Sequence, residues 1–202
     1  MLFYGTHNSG TSGKLVWWQW IFTPIFQLFS KCQDKSIKEQ LKMGVKLFNL
    51  QVTWYNGDWH FSHGLCTYRE KLMDALKLMS DYATPEIPIY YQLYLDKNFF
   101  LSQKKEKFRE LCNELSLVDN KVILLNSWIE GTDEYPYKSG IKLNSAEHYW
   151  TMGWAKNNAK TWVDRLPLPK RHAELYNTEY KKKYKDKDIY LMLDFFELGN
   201  WR

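Results

Sequence analysis

Cysteine is scarce: Cys32, Cys66 and Cys112 are the three among 202 residues. An odd, scattered set supplies neither a disulfide framework nor the paired spacing of a zinc site. The expectation is reduced thiols in a cytoplasmic protein. No run of about 20 apolar residues exists, so no membrane-spanning helix is expected. Met1 leads straight into a short apolar segment, so no cleaved signal peptide is expected either. There is no Gly-rich phosphate loop before a helix, no zinc-finger spacing and no RNA-binding aromatic motif. Nucleic acid is therefore a poor partner. No internal repeat or low-complexity linker divides the chain. Its length suits one domain, residues 1–202, with a sizeable core.

What the chain has in quantity is aromatic surface. Aromatics make up 17% and all hydrophobics 45%, with 10 Trp and 14 Tyr. That composition excludes disorder. Trp and Tyr favour places with one apolar and one wet side, membrane interfaces included, although a core also uses them. The net charge is +5, from 28 basic and 23 acidic residues. This modest excess suits anionic partners such as acidic lipid headgroups without requiring them. The most basic tract, Lys181 to Lys187, reads as a solvated loop or helix face.

Strand-like and helix-like segments alternate. Met1–Tyr4 reads as a strand. Asp34 or Ser36 can cap a helix reaching Met43, with Gly44 as its stop. Val45–Val52 alternates, placing Val45, Leu47, Asn49 and Gln51 on one face. Asn56-Gly57 signals a hairpin turn into a strand over 59–62 that delivers His63. Helices follow over 70–82, with Leu72, Met73, Leu76 and Met79 inward, and over 104–115, with Phe108, Leu111, Cys112 and Leu115 inward. Strands are expected over 87–95, 122–125, 147–154 and 189–196, and a helix over 157–163. Repeated alternation implies an α/β fold with parallel strands. The apolar stretch from Val16 to Phe29 is too short to span a bilayer, and Pro24 interrupts it. It reads either as an aromatic rim that dips into a membrane or as a lid packed over the core.

The central stretch is Gly5-Thr6-His7-Asn8-Ser9-Gly10-Thr11. Such a turn after a strand can hold a general base at a sheet rim, or merely a solvated imidazole. Further on come Ser36-Ile37-Lys38-Glu39-Gln40-Leu41, then Gly44-Val45-Lys46-Leu47-Phe48-Asn49-Leu50-Gln51, then His63-Gly64, and finally Tyr190-Leu191-Met192-Leu193-Asp194-Phe195. In this order and spacing, these pieces resemble the X domain of phosphatidylinositol-specific phospholipase C across nearly the whole chain. The resemblance implies a TIM-like (β/α) barrel, incomplete or distorted because the chain is short for eight units. It implies a phosphoric diester hydrolase in which His7 is the general base, His63 the general acid, and Asp194 the carboxylate that orients His7.

Two expected parts are missing. Bacterial relatives carry an Arg where this chain has Gln51, partnered by an acid where it has Asn49. Eukaryotic relatives bind Ca²⁺ there through acids; Asn8, Asn49 and Gln51 offer only amide oxygens, and Tyr94 replaces a Glu on a later strand. No firm metal site follows, and any Ca²⁺ held through those amides would be weak. Ser127 stands near the position of an inositol-gripping Arg. Asn8, Asn49, Gln51, Tyr94 and Ser127 are thus the expected substrate-binding residues. His60, His148 and His172 have no motif support and read as structural. Two functions stay open. One is cleavage of a phospholipid or other phosphodiester, with peripheral membrane contact. The other is a weak or inactive barrel that binds a headgroup or a protein partner.

Overall fold

A computed structural model describes residues 2–98, 100–117, 121–149 and 151–198. Eight strands, Leu2–Thr6 (β1), Val45–Tyr55 (β2), Asp58–His63 (β3), Cys66–Lys71 (β4), Ile89–Leu95 (β5), Val122–Ile129 (β6), Ser145–His148 (β7) and Ile189–Leu193 (β8), form one sheet. The parallel run is β7-β8-β1-β2-β5-β6, and β3 and β4 extend the far end of β2 as antiparallel strands. Among the described residues no ladder joins β6 to β7, so the barrel is incomplete. The helices are Thr23–Ser30 (α1), Ile37–Lys42 (α2), Leu72–Tyr82 (α3), Lys105–Ser116 (α4), Met152–Asn158 (α5) and Pro169–Tyr184 (α6).

Local chemistry explains the boundaries. Ser36 and Glu39 exchange bonds as a capping box at the start of α2, while Asp34 instead pairs with Lys31 and Lys170. Gly44, at φ +85°, permits the sharp exit into β2. Asn56 and Gly57 both take positive φ, as the tight hairpin demands, and Trp54 faces Trp59 across it. Alternation along β2 then splits its side chains between two cores. Leu47 packs inside the barrel with Leu125 and Met192. Phe48, Leu50 and Val52 pack outward, in a core shared with Phe108, Leu111 and Cys112 of α4. Truncating fully buried Phe48 to Ala would cost about 3–5 kcal/mol.

Several elements depart from the sequence expectation. Met73 is 50% exposed; Ala75 takes the inward position on α3 with Leu72, Leu76 and Met79. The strand expected over 147–154 is β7, followed by α5, and Asn157–Val163 gives only the end of that helix and a 3₁₀ turn at Val163–Arg165. The long helix α6 begins with Pro169 in its first turn, a favoured start that reads in isolation as a loop. Within it Lys181 is buried, not solvated. Its ammonium donates to the carbonyls of Phe196 (2.5 Å) and Leu198 (2.7 Å), and burial lowers its pKa to about 8.

Candidate active site

The site begins with strand register. β1 and β8 run parallel with Thr6 opposite Leu193, so the residues that follow, His7 and Asp194, emerge side by side. The His7 backbone N–H donates to the Leu193 carbonyl at 3.1 Å. His7 Nδ1 lies 2.8 Å from Asp194 Oδ1, and Asp194 is only 1% exposed. A carboxylate beside Nδ1 fixes the proton there and leaves Nε2 as the basic nitrogen. Buried Gln33 donates to the carbonyls of His7 and Leu193 at 2.9 Å each. Asn177 of α6 donates to the carbonyls of Asp194 and Phe195, where Phe195 takes φ +40°.

The loop after His7 is tied down throughout. Thr6 Oγ1 donates to Gln40 of α2, Gln40 donates to the Ser9 carbonyl, and Ser9 Oγ accepts from the backbone of Asn49. A Cβ on Gly10 would fall 2.1 Å from the Phe61 ring, so no other residue fits there without displacing that ring.

His63 closes β3. Its Nδ1–H donates to the Ser30 carbonyl at 2.8 Å, which again leaves Nε2 free. The rings of His7 and His63 stand 6.2 Å apart at 83°, edge to face. Desolvation, and then the nearby His7, lower the His63 pKa. Cys32 is buried beneath the pair, 3.7 Å from His63 Nδ1 and 3.6 Å from Asn8 Nδ2, and burial keeps it a neutral thiol. His7, Cys32 and Asp194 bring ligand atoms within 4.8 Å of one another, a soft-metal donor set of which the His7–Asp194 bond already uses two members.

Both imidazoles open into a cavity of about 440 Å³. A groove of about 820 Å³ on the outer side, near Lys14, Lys31 and Arg69, contains neither of them. Asn8, Asn49, Gln51 and Tyr94 line the smaller cavity, as the sequence reading expects. Their polar groups are partly committed: Asn49 Oδ1 accepts from the Asn8 backbone at 3.2 Å. The Gln51 amide donates to Asp96 Oδ1 (2.7 Å) and Glu130 Oε2 (3.2 Å), and the Tyr94 hydroxyl to Gln92 at 3.5 Å. Burial, with Glu130 alongside, raises the Asp96 pKa, so that the proton is held more tightly.

Ser127 is not part of the site. It is fully buried on the far face of β6, opposite Leu93, where its hydroxyl accepts from the Tyr137 backbone. The reason is a register shift between Tyr91 and Gln92: Tyr91 pairs with Leu124 but Gln92 pairs with Asn126. The extra residue, Leu125, inverts the alternation, so Asn126 and Trp128 share the face of Gln92 and Tyr94. Trp128, Glu130, Tyr135 and Tyr149 complete the lining. None of the four is among the residues that the motifs single out. Alternation past Tyr94 and Trp128 is the signal that would have found Asp96 and Glu130. Tyr149 stacks flat on His7, with centroids 3.8 Å apart and planes within 5°.

No family model and no curated protein sequence matches the chain. Solved structures do. A variant of the phosphatidylinositol-specific phospholipase C from Staphylococcus aureus superposes with a TM-score of 0.62 at 18% identity, covering 96% of this chain and 84% of that one. The phosphatidylinositol-specific phospholipase C from Listeria monocytogenes gives 0.59 at 13% identity, covering 96% and 87%.

The fold is that of the bacterial phosphatidylinositol-specific phospholipases C. At these identities the likeness extends to architecture, and the chemistry rests on this chain's own residues. In this phospholipase C fold the mouth carries two imidazoles, a buried carboxylate behind one of them and, among the described residues, no Lys or Arg in the cavity wall.

Proposed function

We propose that the protein is a phosphoric diester hydrolase acting on phospholipids at a membrane surface. The observation that carries this is the pair His7 and His63, set across one cavity with only the first backed by a buried carboxylate. A phosphate between the rings would meet Nε2 of each. His7, its cation stabilised by Asp194, takes a proton from the attacking hydroxyl. His63 gives a proton to the lipid oxygen as it leaves. The lowered His63 pKa disfavours the acid form in the empty site, and a bound phosphate anion offsets that by its charge.

Membrane contact has its own support. The 3₁₀ segment Trp17–Phe22 and α1 expose Trp17 (71%), Trp20 (62%), Ile21 (67%) and Ile25 (62%) instead of packing as a lid. This patch runs directly into Ser30, whose carbonyl holds His63. An exposed apolar patch next to a lipid-sized mouth suits interfacial insertion. No helix among the described residues is long and apolar enough to cross a membrane.

A second reading, a barrel that binds headgroups with little turnover, is favoured by the neutral Asn49 and Gln51 at the phosphate. The test is release of phosphorylated headgroup from vesicles, for wild type and for His7→Ala and His63→Ala. Release that needs both histidines supports the hydrolase. Headgroup binding without release by the wild type supports the second reading instead.

A further inference from the structure

Deepening the hydrolase reading, and resting on it, we infer that the headgroup taken by this cavity is a cation of the choline type, so that the substrate is a zwitterionic phosphodiester. The inference starts from what surrounds the phosphate position. Four aromatic side chains, Tyr94, Trp128, Tyr135 and Tyr149, line a cavity in which, among the described residues, Glu130 is the one carboxylate of the wall and no Lys or Arg takes part. Tyr94 and Trp128 meet edge to face at 89°, which forms a corner of differently directed ring faces. Such corners hold quaternary ammonium groups, because each ring face is negative and the methyl groups supply apolar contact.

The wall already receives an ammonium: Lys138, exposed and outside the cavity lining, sits 4.0 Å from the centre of the Tyr135 ring. Lys97, the other basic neighbour, runs past Gly131 while its backbone donates to Glu130. Neither lines the cavity among the described residues.

The acidic side is built, not incidental. Glu130 Oε2 is fixed by the Lys97 backbone at 2.8 Å and by Gln51 at 3.2 Å, and Gln51 also bonds buried Asp96. An inositol ring brings no positive charge and would leave Glu130 uncompensated. An ammonium placed among Glu130, Tyr94 and Trp128 neutralises it. The phosphate of the same headgroup then reaches His7 and His63, which line the same cavity.

Choline carries no hydroxyl beside its phosphate, so water is the nucleophile. His7 takes a proton from water and the water oxygen bonds to phosphorus. The bond from phosphorus to the lipid oxygen breaks, and His63 protonates that oxygen. Phosphocholine and the lipid alcohol are the products, with no redox change and one water consumed.

The experiment is calorimetric titration of the whole chain with phosphocholine, inositol 1-phosphate and inorganic phosphate, with vesicle hydrolysis measured in parallel. Wild type should bind phosphocholine more tightly than either other ligand. Glu130→Gln, whose amide oxygen can still accept from Lys97, should weaken phosphocholine by about tenfold while leaving inorganic phosphate unchanged. Trp128→Leu should act in the same direction. Equal or tighter binding of inositol 1-phosphate, no binding of phosphocholine, or no response to Glu130→Gln would overturn the inference, even if phosphatidylinositol vesicles are hydrolysed. Selective, Glu130-dependent phosphocholine binding without hydrolysis of any vesicle would support it and remove the hydrolase reading alone.

Discussion

Asp194 Oδ1 lies 2.8 Å from His7 Nδ1, although the two residues are 187 positions apart in the chain. Neighbouring parallel strands with Thr6 opposite Leu193 create this contact, and Gln33 and Asn177 clamp the backbone on both sides of it. In the proposed hydrolase this contact fixes which nitrogen of His7 is basic. Asp194→Asn should leave the melting temperature within a few degrees of wild type while lowering turnover by about 10²- to 10⁴-fold. His7→Ala should do at least as much damage. Unchanged turnover in Asp194→Asn, measured by headgroup release, would exclude the orienting role.

How much of this site was legible in sequence depended on how local its causes are. His7, Asn8 and Asp194 sit at strand ends, where a motif fixes the position, and the structure brings them together at the mouth. Alternation along β2 correctly put Asn49 and Gln51 on one face, because that strand keeps its pleat through both positions. Ser127 was misplaced because nothing in Val122–Trp128 announces the extra residue at Leu125; the bulge arises from pairing with β5, a tertiary event. Glu130 lay within reach of alternation past Trp128 and was overlooked. Tyr149 was missed for a reason like that of Ser127: it follows β7, and its place on the His7 ring is a tertiary contact that no local pattern announces.

The pH dependence follows from His63. Desolvation and His7 lower its pKa below the ordinary imidazole value. If His63 is the proposed general acid it must hold its proton, so in the unliganded protein this requirement is lost as pH rises through a value below about 6.5. The basic limb of kcat/KM should thus lie on the acid side of that value. The kcat profile, reporting the complex, should move toward higher pH because bound phosphate favours the protonated ring. A basic limb of kcat/KM well above pH 7 would mean that His63 is not the acid.

The exposed aromatic patch gives a test that separates binding from folding. Trp17 and Trp20 are mostly exposed, whereas Trp18 packs against Phe100 at 5.2 Å. Replacing Trp17, Trp20 and Ile21 with Ala should weaken vesicle sedimentation by about tenfold or more while leaving thermal stability nearly unchanged. A large fall in melting temperature would show that the segment is core and not rim.

His172 supplies a stability signal independent of the site. It is buried against the rings of Tyr176 and Tyr180, and burial lowers its pKa to about 4. The unfolded chain then binds the proton first as pH falls. Stability from the neutral ring is full above about pH 6.5 and declines toward pH 4, by at most about 3 kcal/mol. His148, stacked on Tyr180, is shifted in the same direction, whereas Asp96, with its raised pKa, acts in the opposite sense. The difference between wild type and His172→Phe isolates the effect. The variant's urea midpoint should fall less between pH 7 and pH 4.5 than that of wild type; parallel curves would show that His172 is not buried as neutral imidazole.

Gln51 is where charge and headgroup preference meet. It stands opposite Tyr94 in the β2–β5 ladder, and its amide already spans Asp96 and Glu130. A guanidinium in its place finds both acceptors waiting and still has donors to turn toward the phosphate. Two consequences oppose each other. Positive charge at the phosphate stabilises the transition state, where one such contact is worth about 10²- to 10³-fold in rate. The same charge cancels the acidic wall that attracts an ammonium. Gln51→Arg should therefore raise cyclic inositol phosphate release from phosphatidylinositol above a slow wild-type background, and should weaken phosphocholine binding by about tenfold. Adding Asn49→Asp should strengthen the first effect by orienting the Arg. Because Asn8, Asn49 and Gln51 are neutral amides, EDTA should leave all of these rates unchanged. Wild-type turnover abolished by EDTA would show that a bound metal neutralises the phosphate. Stronger phosphocholine binding in Gln51→Arg would show that Glu130 does not face the headgroup.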